Sequence, residues 1–195
     1  AVAAVAGGLL AVYVDLRLLL VGLASFVAAV GYSGGPRPYA SAGLGEVFVF
    51  VFFGLVATIG SSFVQDERIH QLAYVAAIPV GLLAVAILVV NNLRDIETDR
   101  AAGKMTLAVR MGAGRTRLLY QALVVISFLD LAALVAVTRS PMPLLALVAV
   151  PFAVRPVTTV LHSRDPRELI GALGGTARLQ LVFSVLLAVG LWVIG

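Results

Sequence analysis

Cysteine is absent from the 195 residues, and histidine occurs only twice, as His70 and His162. The first absence excludes a disulfide scaffold, a thiolate metal site and a cysteine nucleophile. The two histidines stand singly at the ends of apolar segments, with no partner at metal-ligand spacing, and support neither a zinc site nor a catalytic triad. Charge is scarce as well. Asp, Glu, Lys and Arg make up 12% of the chain, against 61% hydrophobic residues and a mean hydropathy of +1.06. A soluble domain carries about 25% charged and roughly 45–50% apolar residues, and a chain of this size cannot hide such an excess in one core. A soluble globular protein and a disordered one are both excluded. Low-complexity tracts, sequence repeats and a signal-peptide cleavage pattern are also missing. What remains is an all-α, polytopic membrane helix bundle. In such a chain the net charge of +4 reads as loop charge, and no nucleic-acid partner is expected.

The charges punctuate seven hydrophobic segments. Residues 44–65, 69–91, 117–138 and 141–161 reach the roughly 20 residues needed to cross about 30 Å of hydrocarbon, and 177–194 just does. Leu16–Tyr32 is slightly short. Residues 1–14 cover only about 21 Å, and merging them with 16–32 would bury Asp15 and Arg17 near the bilayer centre. A turn at Asp15–Arg17 is therefore predicted. All seven segments are predicted helices, because lipid offers no partner to an open backbone.

If the segments alternate sides, the basic residues separate. One side holds Arg37, Arg94, Arg100, Lys104, Arg110, Arg115, Arg117, Arg155, Arg164, Arg167 and Arg178, and the other only Arg17, Arg68 and Arg139. That asymmetry places the connections 32–43, 92–116 and 162–176 in the cytoplasm.

The most informative stretch runs from Asn91 to Lys104 (NNLRDIETDRAAGK). Asn92, Asp95 and Asp99 are spaced i, i+3, i+7 and share one helical face. Oxygen-bearing side chains so placed suit a hard cation, and magnesium is usually held by one or two carboxylates with substrate phosphates completing its shell. Arg94, Arg100 and Lys104 stand beside them as phosphate contacts. A lipid diphosphate at a membrane surface is one reading; a solvated loop laced with local salt bridges is the other. A second stretch, Tyr32 to Tyr39 (YSGGPRPY), is a fixed non-helical loop whose Arg37 and tyrosines can orient an anion and an aromatic ring, or simply form an interhelical turn. Asp130 lies within a segment, facing either a cavity or the outer interface. Arg155 either snorkels to the surface or reaches toward a diphosphate. Glu46 opens a helix and complements its dipole.

These blocks resemble the UbiA superfamily of intramembrane prenyltransferases. Asn92-x-x-Asp95-x-x-x-Asp99 followed by Gly103-Lys104-Met105-Thr106 is similar to its second aspartate-rich motif. The run Asn91–Asp95, the Gly34–Tyr39 loop, Gly43–Phe50 (GLGEVFVF) and Thr176–Gln180 (TARLQ) resemble, more narrowly, the 1,4-dihydroxy-2-naphthoate polyprenyltransferases of bacterial menaquinone biosynthesis. The resemblance implies nine transmembrane helices and two aspartate-rich motifs holding Mg2+ against the diphosphate of a polyprenyl diphosphate. It also implies transfer of the prenyl group to 1,4-dihydroxy-2-naphthoate with decarboxylation, in the bacterial plasma membrane. Carried over by position, Asn92, Asp95, Asp99 and Asn91 would be metal ligands. Arg94, Arg100, Lys104, Arg37 and Tyr32 would bind substrate, and Asp95, Asp99 and Lys104 would serve the reaction.

The chain departs from the pattern in one respect: it holds no counterpart of the first aspartate-rich motif. Seven segments against nine make residues 1–195 a single prenyltransferase-like domain, expected to be incomplete at its N-terminus and inactive alone. Three alternatives remain open here: another aromatic acceptor, a small transporter, and a non-catalytic remnant.

Overall fold

The computed structural model describes residues 2–34 and 38–194; Arg37, with Gly35 and Pro36, lies outside them. Its first two helices, α1 (Val2–Tyr13) and α2 (Leu18–Ser33), are separated where the sequence predicts a turn. There the Asp15 carboxylate accepts from the backbone N–H of Arg17 at 2.7 Å and pairs with its guanidinium at 2.5 Å. This contact holds the Asp15 carboxyl below the usual carboxylate range.

A short 3₁₀ turn, Tyr39–Ala42, leads into α3 (Gly45–Asp66) and α4 (Gln71–Arg94). The short α5 (Ile96–Ala101) follows, then α6 (Leu107–Thr138), α7 (Met142–His162) and α8 (Pro166–Trp192). Helices α3, α4, α6, α7 and α8 are each long and apolar enough to cross a membrane, and no strand occurs among the described residues. The seven apolar segments of the sequence are thus helices, but two begin earlier than charge suggests. Helix α6 starts at Leu107 rather than Arg117, and α8 at Pro166 rather than Ala177. Capping rather than polarity sets these starts. Thr106 accepts from the N–H of Val109, and Asp165 accepts from that of Arg167 at 2.8 Å with Pro166 at the first helical position. Inside α6, Gly112 sits at φ +76°, where a side chain would be strained, and sets the first turn apart from the rest.

Helix α4 is the centre of the bundle and packs against α3, α6 and α8. Its crossing with α3 is close because both helices present glycine. A Cβ added to Gly54 would lie 2.7 Å from the Cα of Gly81. At this crossing α3 opens into a π-helical stretch, Phe50–Val56. The core gathers Leu83, Val89, Val90, Tyr120, Leu134, Leu179 and Phe183, all fully buried. Between α6 and α8 the hydroxyls of Tyr120 and Thr176 hydrogen-bond at 2.8 Å. Gln180 of α8 donates to the carbonyl of Val80 in α4 at 3.4 Å. The outer surface is apolar, with Leu118, Leu129, Val154 and Leu181 largely exposed. Water would penalise that surface, whereas lipid tails match it.

Candidate functional site

Helix α4 stops at Arg94 and α5 starts at Ile96, with Asp95 at the joint (φ −98°, ψ 8°). The N–H of Asp99 still donates to the Asp95 carbonyl at 2.8 Å, so the helical register carries through the bend. Asn92 stands in the last turn of α4, Asp95 at the joint and Asp99 within α5. Three expected substrate-binding cations are instead engaged locally. Arg94 donates through Nε and Nη2 to both oxygens of Asp95 at 2.7 and 2.6 Å, and through Nη2 to Asn91 Oδ1 at 3.0 Å. Arg100 turns to Glu97 at 3.0 Å. Gly103, at φ +72°, reverses the chain so that Lys104 returns over Asp99. Its backbone N–H donates to the Asp99 carbonyl at 2.9 Å, and its ammonium stands 3.5 Å from the carboxylate. In this state the cluster is self-neutralised, with the cations already beside the oxygens an incoming diphosphate would displace.

The fold joins the segments that follow the two informative stretches. The N–H of Met105 donates to the carbonyl of Ser41 at 2.9 Å, and Arg110 Nε donates to Met105 O at 2.9 Å. Gly43, at φ +82°, leaves room for that arginine: a Cβ there would lie 3.1 Å from Arg110 Nε. Asn92 donates its amide to Glu46 Oε1 at 3.0 Å. Glu46 is buried, and its second carboxylate oxygen has no hydrogen-bond partner. Glu46 was legible only as a dipole complement; its role as the neighbour of Asn92 is a finding of the structure. The available signal was a carboxylate opening an otherwise apolar helix.

Aromatic rings border the same end. Tyr32 meets Tyr39 edge-on at 5.6 Å, Tyr39 stacks on Phe48 at 3.8 Å, and Phe48 is followed by Phe52 at 6.1 Å. The Tyr39 hydroxyl donates to the Ala28 carbonyl, and burial pushes its phenol above the ordinary value. With Ala28 and Val49 these rings line an apolar pocket of about 570 Å³ between α2 and α3. Arg37, the remaining substrate-binding candidate, lies outside the described residues.

The residues weighed individually fall elsewhere. Asp130, at the turn inside α6, is half-buried, and its Oδ2 is enclosed without a hydrogen-bond partner. Arg155 does not face the α4–α5 joint; it lines a cleft between α7 and α8 in which no residue of α4 or α5 takes part. His70 pairs with Asp66 at 2.5 Å, and a ring nitrogen of His162 meets the Thr158 carbonyl at 2.9 Å.

Among the described residues no three of His, Cys, Asp and Glu converge as a metal cage. The donor set at the joint is two carboxylates, Asp95 and Asp99, and two amide oxygens, Asn91 and Asn92. All are hard oxygen donors. The set is too small for an all-protein calcium cage, yet it fits magnesium that completes its octahedron with water and phosphate.

A multi-pass helical membrane protein with an oxygen-and-cation cluster where its central helix ends is the class that fold and site define. Residues 1–173 match the UbiA prenyltransferase family, and the chain belongs to it. It is 41% identical over 188 residues to the 1,4-dihydroxy-2-naphthoate octaprenyltransferase of Mycobacterium tuberculosis, covering 96% of this chain and 64% of that protein. The proteins of that name from Escherichia coli and Bacillus subtilis are 36% and 33% identical. In both cases 89% of this chain is covered, and 57% and 56% of the relative respectively. The chain thus spans less than two thirds of the length of these relatives. No solved structure gives a significant match.

Proposed function

We propose that the protein serves in the transfer of a polyprenyl group from polyprenyl diphosphate to 1,4-dihydroxy-2-naphthoate, with decarboxylation, as a step of menaquinone synthesis. The observation that carries this reading is the joint itself. Asn92, Asp95 and Asp99 stand across it at i, i+3 and i+7, Arg94 and Lys104 pair with the two aspartates, and an aromatic-lined apolar pocket opens beside the connection tied to Met105. Similarity to proteins named for this acceptor supports the choice of substrate. The distribution of Lys and Arg supports a cytoplasmic placement of this end, in a bacterial plasma membrane.

In this reading Asn92, Asp95 and Asp99, with Asn91 as a further donor, hold Mg2+. The ion supplies charge stabilisation for the departing diphosphate. Arg94, Arg100 and Lys104 exchange their local carboxylates for diphosphate oxygens. The bond between the allylic carbon and diphosphate oxygen breaks with its electron pair leaving on the oxygen. The electron-rich ring attacks the allylic carbon, and the ring–carboxylate bond yields its pair to the ring as carbon dioxide departs. Tyr32, Tyr39 and Phe48 present ring faces and edges to a cationic or aromatic group, and the apolar pocket keeps water away from it.

The test uses membranes from cells that lack their own enzyme of this type and express the protein from its complete coding sequence. Supplied with 1,4-dihydroxy-2-naphthoate, a polyprenyl diphosphate and magnesium, they should form the prenylated product and release carbon dioxide. Chelation of magnesium should stop both. Product formation that persists after chelation, or its absence with magnesium present, overturns the reading.

A further inference from the structure

Between α7 and α8 lies a cleft of about 740 Å³ that the proposed reaction does not use, lined by Arg155, Thr159, Glu168, Gly174 and Arg178 among others. Its depth makes it unusual. Arg178 stands twelve residues beyond Pro166, about 18 Å along α8, and Arg155 seven residues before His162, about 10 Å along α7. Helix α8 has 27 residues and is about 40 Å long. Even if its whole excess over a hydrocarbon core of about 30 Å projected on this side, the Arg178 backbone would lie about 8 Å below the core boundary. Arginine at such depth is costly unless something neutralises it. Among the described residues neither guanidinium meets a carboxylate, and Glu168 is the one acidic group in the lining. Two arginines against one glutamate leave the cleft with a net positive charge.

The cleft is also built for a head with tails. A Cβ added at Gly171 or Gly174 would meet nothing within 4 Å, so these glycines leave its side open. Deeper on the same face of α8 stand Leu181 and Val185, and on α7 Val148, all largely exposed and apolar. A basic cleft with exposed apolar side chains farther along both helices matches a phosphate group joined to acyl chains, and not a free anion. Bidentate guanidinium contacts suit phosphate oxygens. We propose that the α7–α8 cleft binds the headgroup phosphate of an anionic phospholipid through Arg155 and Arg178, with the acyl chains along Val148, Leu181 and Val185.

The experiment is thermal unfolding of the purified, delipidated protein in a non-ionic detergent. The additions are phosphatidylglycerol, phosphatidylcholine or inorganic phosphate. Phosphatidylglycerol should raise Tm by about 5 °C at saturation, through preferential binding to the folded state. Phosphatidylcholine and inorganic phosphate should each shift it by less than about 1 °C. The double variant Arg155→Gln/Arg178→Gln should lose the shift, and Arg167→Gln, outside the cleft, should keep it. Gly174→Leu fills the cleft without altering charge and should also lose the shift; it decides the matter if the double variant fails to fold. Equal shifts with phosphatidylcholine or with phosphate overturn the proposal. So does a phosphatidylglycerol shift retained in Gly174→Leu, or no shift in the parent protein.

Discussion

The amide nitrogen of Asn92 donates to Glu46 Oε1 at 3.0 Å, joining the end of the central helix to the start of a helix 46 positions earlier. A carboxamide that donates with its nitrogen has its oxygen turned the other way. Glu46 thereby fixes which atom of Asn92 is offered to a cation, as outer partners of metal ligands commonly do. Glu46→Leu should weaken the apparent magnesium affinity of prenyl transfer about 10- to 100-fold. Glu46→Gln, which keeps an accepting oxygen, should lose much less. A magnesium titration of initial rates checks both, and equal losses in the two variants would remove Glu46 from this role.

Asp95→Asn and Asp99→Asn should each lower magnesium-dependent turnover about 100-fold or more, since each removes a charged oxygen donor. Glu97→Gln is the matched comparison. Glu97 lies between them in sequence, but its side chain is 84% exposed and meets only Arg100. It should stay within about twofold of the parent, because an exposed pair of this kind contributes little. A rate for Glu97→Gln as low as those of the aspartate variants would show that general charge, not position, matters here.

The crossing of α3 and α4 gives a stability prediction. Gly81→Ala would place a methyl 2.9 Å from Phe50 and 3.0 Å from the Gly54 backbone, so it should destabilise by about 1–3 kcal/mol. Gly60→Ala, six residues along α3 from Gly54, meets nothing within 4 Å and should be neutral or slightly stabilising. Thermal unfolding in detergent separates the two.

Tyr120→Phe removes the hydroxyl that meets Thr176 while leaving Thr176 bonded to the Ala172 carbonyl at 2.8 Å. No buried group is orphaned, so the cost should be about 0.6 kcal/mol, the usual worth of an interhelical hydrogen bond in a membrane. Unfolding in mixed micelles of increasing denaturing detergent measures it. A loss beyond about 2 kcal/mol would mean that the ring itself had moved.

Much of the bundle could be read before any coordinates. Lipid forces helices, and the charged punctuation at Asp15–Arg17 and Asn91–Lys104 falls where helices end. The starts of α6 and α8 were not legible from hydropathy, because helices continue past the hydrocarbon and stop at caps such as Thr106 and Asp165. At the candidate site, the stretch itself was legible, and the helix does end within it, at Asp95. Spacing said nothing of Glu46, whose meeting with Asn92 depends on how two helices pack rather than on any periodicity. Sequence left Arg155 between snorkelling to the surface and reaching toward a diphosphate, and gave Arg178 only as one of the basic residues on the loop-rich side. Only the pairing of α7 with α8 shows that they face one cleft.

The hydrogen bond from Met105 to Ser41 has a further consequence. It makes the two connections one platform, with the acidic cluster on one flank and the Tyr39–Phe48 stack on the other. A ligand that tightens the platform from the acidic flank must favour the ligand on the aromatic flank by the same factor, and the reverse, since binding free energies couple reciprocally. Two substrates meeting here would bind synergistically, each preparing the ground for the other before any bond is broken.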